Sequence, residues 1–293
     1  MFRKLPKFEY FRPESFEEAM KILKMQAGKI QPLAGGTDLF IAMKEKGVTW
    51  ENVLDLKGIP DYDFIREADG GIEIGALTTI RSVETSALIR EKIPFLAAAA
   101  GKIGSVQIRN KATIGGNLCN AAPSADMAPA LLTLGAVAEI FEESGVRKIL
   151  LEDFFLGPGK TILRDSALLK RIIIPFLPLN SAGLYIKVTP RRAMDLAVVG
   201  VSCLITLDSG KKKCLTCRIA LGAVAPTPMR AKRAENILIG QAMTDKEIAA
   251  AGEEASMQTS PISDVRGSAE FRREMVKVFV RKGLMELCRS IRA

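Results

Sequence analysis

Two separated glycine-rich stretches hold the residues of this chain best placed to do chemistry. "PLAGGTD", residues 32–38, closes a short apolar run. "GGNLCNAAPSADMAP", residues 115–129, gathers two glycines, two asparagines, two prolines, a serine and an aspartate ahead of the apolar "ALLTLGA". A glycine pair after a strand lets the backbone reach positive φ and brings its N–H groups close to a ligand. N–H groups gathered in this way at a helix start hold phosphate. A cleft between the two turns could hold a long, doubly phosphorylated ligand, with one turn on each side of a pyrophosphate. Thr113, Asn117, Asn120, Ser124 and Asp126 would then reach further phosphate oxygens and a ribose. The competing reading is two ordinary tight turns, which for any single Gly-Gly pair is the commoner outcome.

Other chemistries fall away on composition and spacing. The sequence has no G-x-G-x-x-G, so a Rossmann dinucleotide site has no support. Gly159-Lys160-Thr161 resembles the end of a Walker loop, but Phe154 stands where its first glycine is required. The chain contains no histidine, which removes Ser-His-Asp catalysis, H-E-x-x-H zinc sites and any histidine base. Its five cysteines include one C-x-x-C, Cys214 and Cys217, without the second ligand pair that a zinc or iron–sulfur centre needs. That pair reads as a turn entering a strand. Redox or group-transfer chemistry on such a chain belongs to a bound cofactor. The net charge of +9 comes without interleaved aromatics or a recognition motif, so nucleic acid is not expected. An anionic cofactor or an acidic partner subunit suits it better.

The elements that must position the two turns are legible in outline. Ser15 and Glu18 fit a capping box before a helical stripe of Phe16, Met20 and Leu23. "IQPL" predicts a strand, "LFIAMK" a helix and "NVLDL" (52–56) a second strand, a small β-α-β-type unit. Ile72, Ile74 and Ala76 alternate as in a half-buried strand. Helices are expected over 79–100, interrupted at Pro94, then a loop over 101–129 and a helix over 127–135. "AVAEIF" and "RKILLEDFF" predict a hairpin, and "LLKRIIIPF" another strand. Beyond "FLPLNSAG" (176–183) the pattern changes to hairpin strands, a helix capped at Thr244 with Glu247, and a last helix near 269–290. Phe271, Met275, Val278, Phe279 and Leu287 form the apolar side of that last helix. At 293 residues the chain allows two medium domains. Its longest apolar runs, 93–100 and 130–140, are shorter than the roughly 20 residues of a membrane span. The N-terminus lacks an apolar signal region, so the expectation is a soluble, cytoplasmic protein.

"PLAGGTDLFIAMK", "GSVQIRNKATIGGNLCNAAPSADMAPALLTLGA", "GPGKTILRDSALLKRIIIP" and "YIKVTPRRAMDLAVVGVSCLITL" together resemble the FAD-binding medium subunit of the molybdenum hydroxylases. That family includes the flavin subunits of aerobic carbon monoxide dehydrogenase and the flavin domain of xanthine dehydrogenase. The resemblance implies an α+β fold: a two-lobed FAD-binding domain of the vanillyl-alcohol-oxidase (PCMH) type over 1–178, with lobes of about 1–57 and 58–178. A smaller α+β flavoprotein C-terminal domain would follow over 179–293.

The resemblance also implies roles. Leu33, Ala34, Gly35, Gly36, Thr37 and Asp38 would give backbone N–H groups to the FAD pyrophosphate. Thr113, Gly115, Gly116, Asn117 and Asn120 would clasp it from the other side. Ser124 belongs to the same cofactor site, and Asp126 would take ribose hydroxyls. Ile103 and Leu169 match positions lining the adenine, and Lys187 and Leu196 match positions at the isoalloxazine. Each has a plainer alternative: Asp126 as a helix-dipole residue, Lys187 as a surface strand residue, Leu196 as core. Arg191 and Arg192 line either an acceptor-side entrance or a solvated turn. The implied partners are a molybdopterin-binding large subunit and a small subunit carrying 2Fe-2S clusters, in a heterotrimer or a dimer of heterotrimers. Electrons would pass from the clusters to this FAD and on to NAD, a quinone or another acceptor. The alternatives are a self-contained flavin oxidase or reductase, and a non-catalytic nucleotide-binding or nucleic-acid-binding scaffold.

Overall fold

The first helix starts where its capping chemistry starts: the Ser15 side chain accepts the Glu18 N–H, and Phe16–Met25 buries Ala19, Met20 and Leu23. The computed structural model describes residues 4–45, 47–191 and 194–293. Strands Glu9–Phe11 and Ile30–Leu33 both pair in parallel with Asn52–Asp55, which lies between them. Parallel neighbours need a crossover connection, and the helices Phe16–Met25 and Leu39–Glu45 are placed to supply it. The Phe16 ring meets Tyr62 and Phe141, so the first helix is also packed against the next layer.

That layer is an antiparallel sheet in the order Ile65–Ala68, Gly71–Gly75, Ala167–Pro175, Val137–Glu142, Gly145–Leu150. The strand Gly71–Gly75 was expected to be half-buried, yet all of its residues are buried. Ile72 and Ile74 enter the core. Glu73, between them, accepts bonds from Arg66 and Arg171, and Arg171 also donates to the buried Glu139. The alternation read from the sequence is present, but its polar side is roofed by ion pairs. Helices Ile80–Thr85, Ala87–Lys92 and Pro94–Gly101 follow, the last opening on its proline. A first-turn proline gives up only an N–H that has no helical partner anyway. The stretch 101–129, expected as loop, contains two short helices, Val106–Arg109 and Ile114–Cys119. Met127–Thr133 follows them, every residue buried.

The second half is an antiparallel meander, Ser181–Val188, Val199–Leu207, Cys214–Gly222 and Met229–Arg230. It is backed by helices Lys232–Leu238, Asp245–Met257 and Ala269–Arg292. Tyr185, Leu204 and Ala220 belong to the core of the first half, whereas Val201, Cys203, Ile205 and Ile219 belong to a separate core against the helices. Covered on both faces, Val199–Leu207 is buried throughout. Cys203, Cys214, Cys217 and Cys288 are buried free thiols of that second core, and burial pushes the Cys203 thiol up. Cys119 is a half-buried free thiol, pushed up to about 12 by desolvation.

Two expectations fail here. Thr244 does begin Asp245–Met257, but its side chain makes no capping bond. The last helix turns a partly different face inward: Phe271 and Val278 are 45% and 40% exposed and Arg272, Val276, Val280 and Leu284 are buried, while of the expected side Leu287 is buried and Met275 and Phe279 pack against the core. The offset follows from Arg272, whose guanidinium donates to the carbonyls of Val198 and Ala223 and to Asp264. Arg272→Met should therefore cost about 3 kcal/mol in urea unfolding, by orphaning buried acceptors. A loss below about 0.5 kcal/mol, ordinary for a surface site, would contradict this anchoring role.

Candidate cofactor-binding cleft

The first glycine turn is a run of open donors. Leu33 ends its strand beside Asp55, and the chain turns at Gly36 with φ +74°. A Cβ there would also meet the Phe40 ring at 2.6 Å. The N–H groups of Gly35, Gly36, Thr37 and Asp38 meet no acceptor among the described residues. The carbonyls of the turn, by contrast, are engaged: Gly36 accepts from Phe40 N–H, Asp38 from Ala42 N–H and Ala34 from Lys57 Nζ. A short stretch with its acceptors occupied and its donors free is an anion-binding concavity.

The second glycine pair is built differently from the expectation. Gly115 and Gly116 lie inside the helix Ile114–Cys119, and neither is among the positive-φ glycines. Their N–H groups are already bonded, Gly115 to Ala76 O at 2.8 Å and Gly116 to the capping Thr113 Oγ1 at 3.0 Å. The Asn117 N–H goes to Thr113 O. Glycine is needed here for close approach, since a Cβ on Gly115 would sit 2.6 Å from Ala76 O. What this segment has left to offer is the Asn117 amide, whose Oδ1 is buried without a partner among the described residues. An orphaned buried polar atom is costly; this one accepts only, so a ligand hydroxyl would satisfy it while the amide nitrogen is free to donate to a phosphate oxygen.

The two turns touch. A Cβ built on Gly35 would lie 2.0 Å from Lys111 O, and one on Gly116 would lie 3.8 Å from the Ala34 Cβ. Arg109 holds this second segment in place, donating to Ile103 O at 2.8 Å and to Glu84. Burial pushes the Glu84 carboxyl up, but bonds from Arg81 and Arg109 outweigh it and the net shift is downward.

Further along, Asp126 joins the two halves of the molecule. It is buried, with Oδ1 accepting from Tyr185 Oη at 2.7 Å and Oδ2 from Lys187 Nζ at 2.9 Å. Lys187 Nζ also donates to Lys102 O. Lys187 is thus no surface strand residue: its side chain is 7% exposed. Asp126 does stand at the N-terminus of the helix that follows, as the helix-dipole reading has it, but its side chain makes no capping bond there. Burial raises the Asp126 carboxyl, and Lys187 and the two hydrogen bonds only partly offset this. A carboxylate has about four acceptor positions, so two remain for hydroxyl donors.

Ile103 and Leu169 are both buried in the first core. Leu169 O accepts from the Tyr62 hydroxyl. Leu196, by contrast, is 50% exposed on the segment between two meander strands, so it is not a core leucine. Asn120 is exposed at the end of its helix and Ser124 is half-buried. Arg191 pairs with Asp195 on the surface, and Arg192 lies outside the described residues. Two surface hollows, of about 360 and 510 Å³, are lined by Ile72, Ile93 and Phe176 and by Arg12, Glu14 and Gly58. Neither includes a residue expected at the site. Tyr185, Arg109 and Lys57 are contributors the sequence reading missed. Tyr185 had a usable signal, because it shares a strand face with Lys187 two residues on.

The family model described as the FAD binding domain in molybdopterin dehydrogenase matches residues 6–177, and the CO dehydrogenase flavoprotein C-terminal domain matches 185–287. With the fold above, these define an FAD-binding flavoprotein component of an oxidoreductase. The chain is 34% identical over 282 residues to the glyceraldehyde dehydrogenase medium chain of Sulfolobus acidocaldarius, covering 96% of this chain and 99% of that one. It is 34% identical over 277 residues to the carbon monoxide dehydrogenase medium chain of Afipia carboxidovorans, covering 94% and 95%. A solved structure, reconstituted CO dehydrogenase from Oligotropha carboxidovorans, superposes with a TM-score of 0.93 at 33% identity, over 97% of this chain and 99% of that chain. The chain belongs to the family of FAD-binding medium subunits of molybdenum hydroxylases, and its α+β architecture is the one the resemblance implied. No helix among the described residues is long and apolar enough to cross a membrane.

Proposed function

We propose that this chain is the electron-transferring flavin subunit of a cytoplasmic molybdenum hydroxylase. It would take electrons from a 2Fe-2S small subunit, while a molybdopterin-binding large subunit oxidises the substrate. The acceptor would be NAD, a quinone or another carrier, and the assembly a heterotrimer or its dimer. The observation that carries this reading is the 35–38 run of unpartnered N–H groups pressed against the 111–117 segment. Bound FAD supplies reversible transfer of one or two electrons, the link between one-electron clusters and a two-electron acceptor.

The chain's own residues hold and orient. The 33–38 turn gives its N–H groups to the diphosphate, with Thr113, Gly115, Gly116, Asn117 and Asn120 as the facing wall. Ser124 and Asp126 face the ribose, and Ile103 and Leu169 lie beside the adenine. Leu196 offers an apolar surface to the ring, and Lys187 places a positive charge near it. The division into an FAD-binding domain over 1–178 and a C-terminal domain over 179–293 follows the same reading.

The direct test is an absorption spectrum of the native purified complex, with identification of the released cofactor and metal analysis. Flavin bands with co-purifying iron and molybdenum are expected. A flavin-bearing chain with no metal-bearing partners that oxidises a small organic substrate would instead indicate a self-contained oxidase. Asn117→Leu gives a prediction of opposite signs: FAD occupancy falls, while the flavin-free chain keeps or gains stability because an orphaned polar atom is removed. Full flavin retention in that variant would place Asn117 outside the site.

A further inference from the structure

We infer that Lys57, held by an Asp55 that Tyr10 braces, is a positioning residue that fixes which way the Ala34–Gly35 peptide faces, and with it the Gly35 N–H that opens the donor row of the 35–38 turn. The inference rests on the flavin reading above and deepens it. Lys57 Nζ donates to Ala34 O at 3.0 Å. A trans peptide is planar with its C=O and N–H on opposite sides, so pinning the Ala34 carbonyl outward points the Gly35 N–H the other way. With Gly35 on its C-terminal side, that peptide otherwise rotates more freely than one between two residues that carry a Cβ.

The pin is itself braced. Strand pairing sets Asp55 beside Leu33, which brings Lys57, two residues on, within reach of Ala34. Asp55 accepts from Lys57 Nζ at 2.6 Å, from Lys57 N–H at 3.1 Å and from the Tyr10 hydroxyl. Burial pushes the Asp55 carboxyl up, but these bonds outweigh it and leave it below the usual carboxylate range. It therefore remains an anion that holds the ammonium in place. The Lys57 side chain is 50% exposed, so the fold does not need it as filling.

The test is fluorescence titration of the flavin-free full chain with FAD and with ADP, alongside thermal unfolding. Lys57→Met should weaken both ligands about tenfold, the loss expected for one hydrogen bond to a charged group, in a chain that still unfolds cooperatively at a somewhat lower midpoint because Asp55 loses its ammonium partner. Lys57→Arg should restore most of the affinity. Asp55→Asn should also weaken binding, because it releases the pin while leaving the cation in place. Tighter binding by Asp55→Asn would overturn the positioning role in favour of a direct contact between Lys57 and phosphate. Unchanged FAD and ADP affinities in Lys57→Met, beside normal binding by the unaltered chain, would overturn the assignment of Lys57 alone. No FAD binding by the unaltered chain would overturn the flavin reading and this inference together.

Discussion

Replacing Gly35 with alanine is expected to abolish flavin retention on purification, with FAD affinity weakened about a hundredfold or more, ~2.7 kcal/mol. The added methyl would sit 2.0 Å from Lys111 O, 2.7 Å from the Lys111 carbonyl carbon and 2.9 Å from the Ala112 Cα. All three are backbone atoms, so no side chain can swing aside. The two turns must part, and neither can part far without cost. One is tied to its strand through Leu33 and Asp55. The other is tied by Arg109, by the Thr113 cap and by the Gly115 N–H to Ala76 O. Gly35 does not occupy positive φ, so backbone strain is not part of the effect; the clash is all of it. Gly157→Ala is the matched control, since a Cβ there meets nothing within 4 Å. Flavin content from the absorbance ratio of the purified proteins reads the result. Equal flavin in both variants would mean that the contact between the turns does not shape the cofactor site.

What the sequence disclosed and what it concealed divide along a physical line. Features set by local chemistry were legible: the Ser15 cap, the interruption of the helices at Pro94, the break at Gly35-Gly36 and the apolar strands. Features set by a distant partner were not. Gly115 and Gly116 look like a second positive-φ turn, yet they are helical behind the Thr113 cap, and Gly115 is glycine because Ala76 comes too close for any side chain. Arg272 looks solvated beside its neighbours, yet carbonyls at 198 and 223 draw it inward and rotate the apolar face of the last helix. Lys187 resembled a surface residue for the same reason, since its counter-charge lies in the other half of the chain. At the candidate site, the glycine turns and their proximity were readable. The unequal roles of the turns, one presenting N–H donors and the other a buried amide, depend on tertiary bonds no local pattern encodes.

The Asp126–Lys187 pair carries the other large expected effect. Lys187→Met removes the ammonium from a carboxylate that is buried and, among the described residues, otherwise held only by Tyr185. Breaking a buried pair from one side costs about 3–5 kcal/mol, because the remaining charge has no compensation. The loss should depend on pH with a definite sign. Burial already raises the Asp126 carboxyl above its ordinary value despite Lys187, and without the lysine it rises further. A group whose folded pKa exceeds its unfolded one favours the fold fully below the unfolded value, and that support drains away as pH climbs through the folded value. The variant should therefore come closest to the parent in acid, near the ordinary aspartate range, and fall away as pH rises toward neutrality. Urea unfolding of both proteins across that interval measures the difference. Adding Asp126→Asn to Lys187→Met should recover much of the stability and flatten the pH dependence, because no charge is then left buried. It should not recover flavin, since both groups proposed to face the cofactor are altered. A Lys187→Met deficit equal at every pH would show that the lysine acts through its packing alone, and Asp126 would lose its place as the charged link between the two halves.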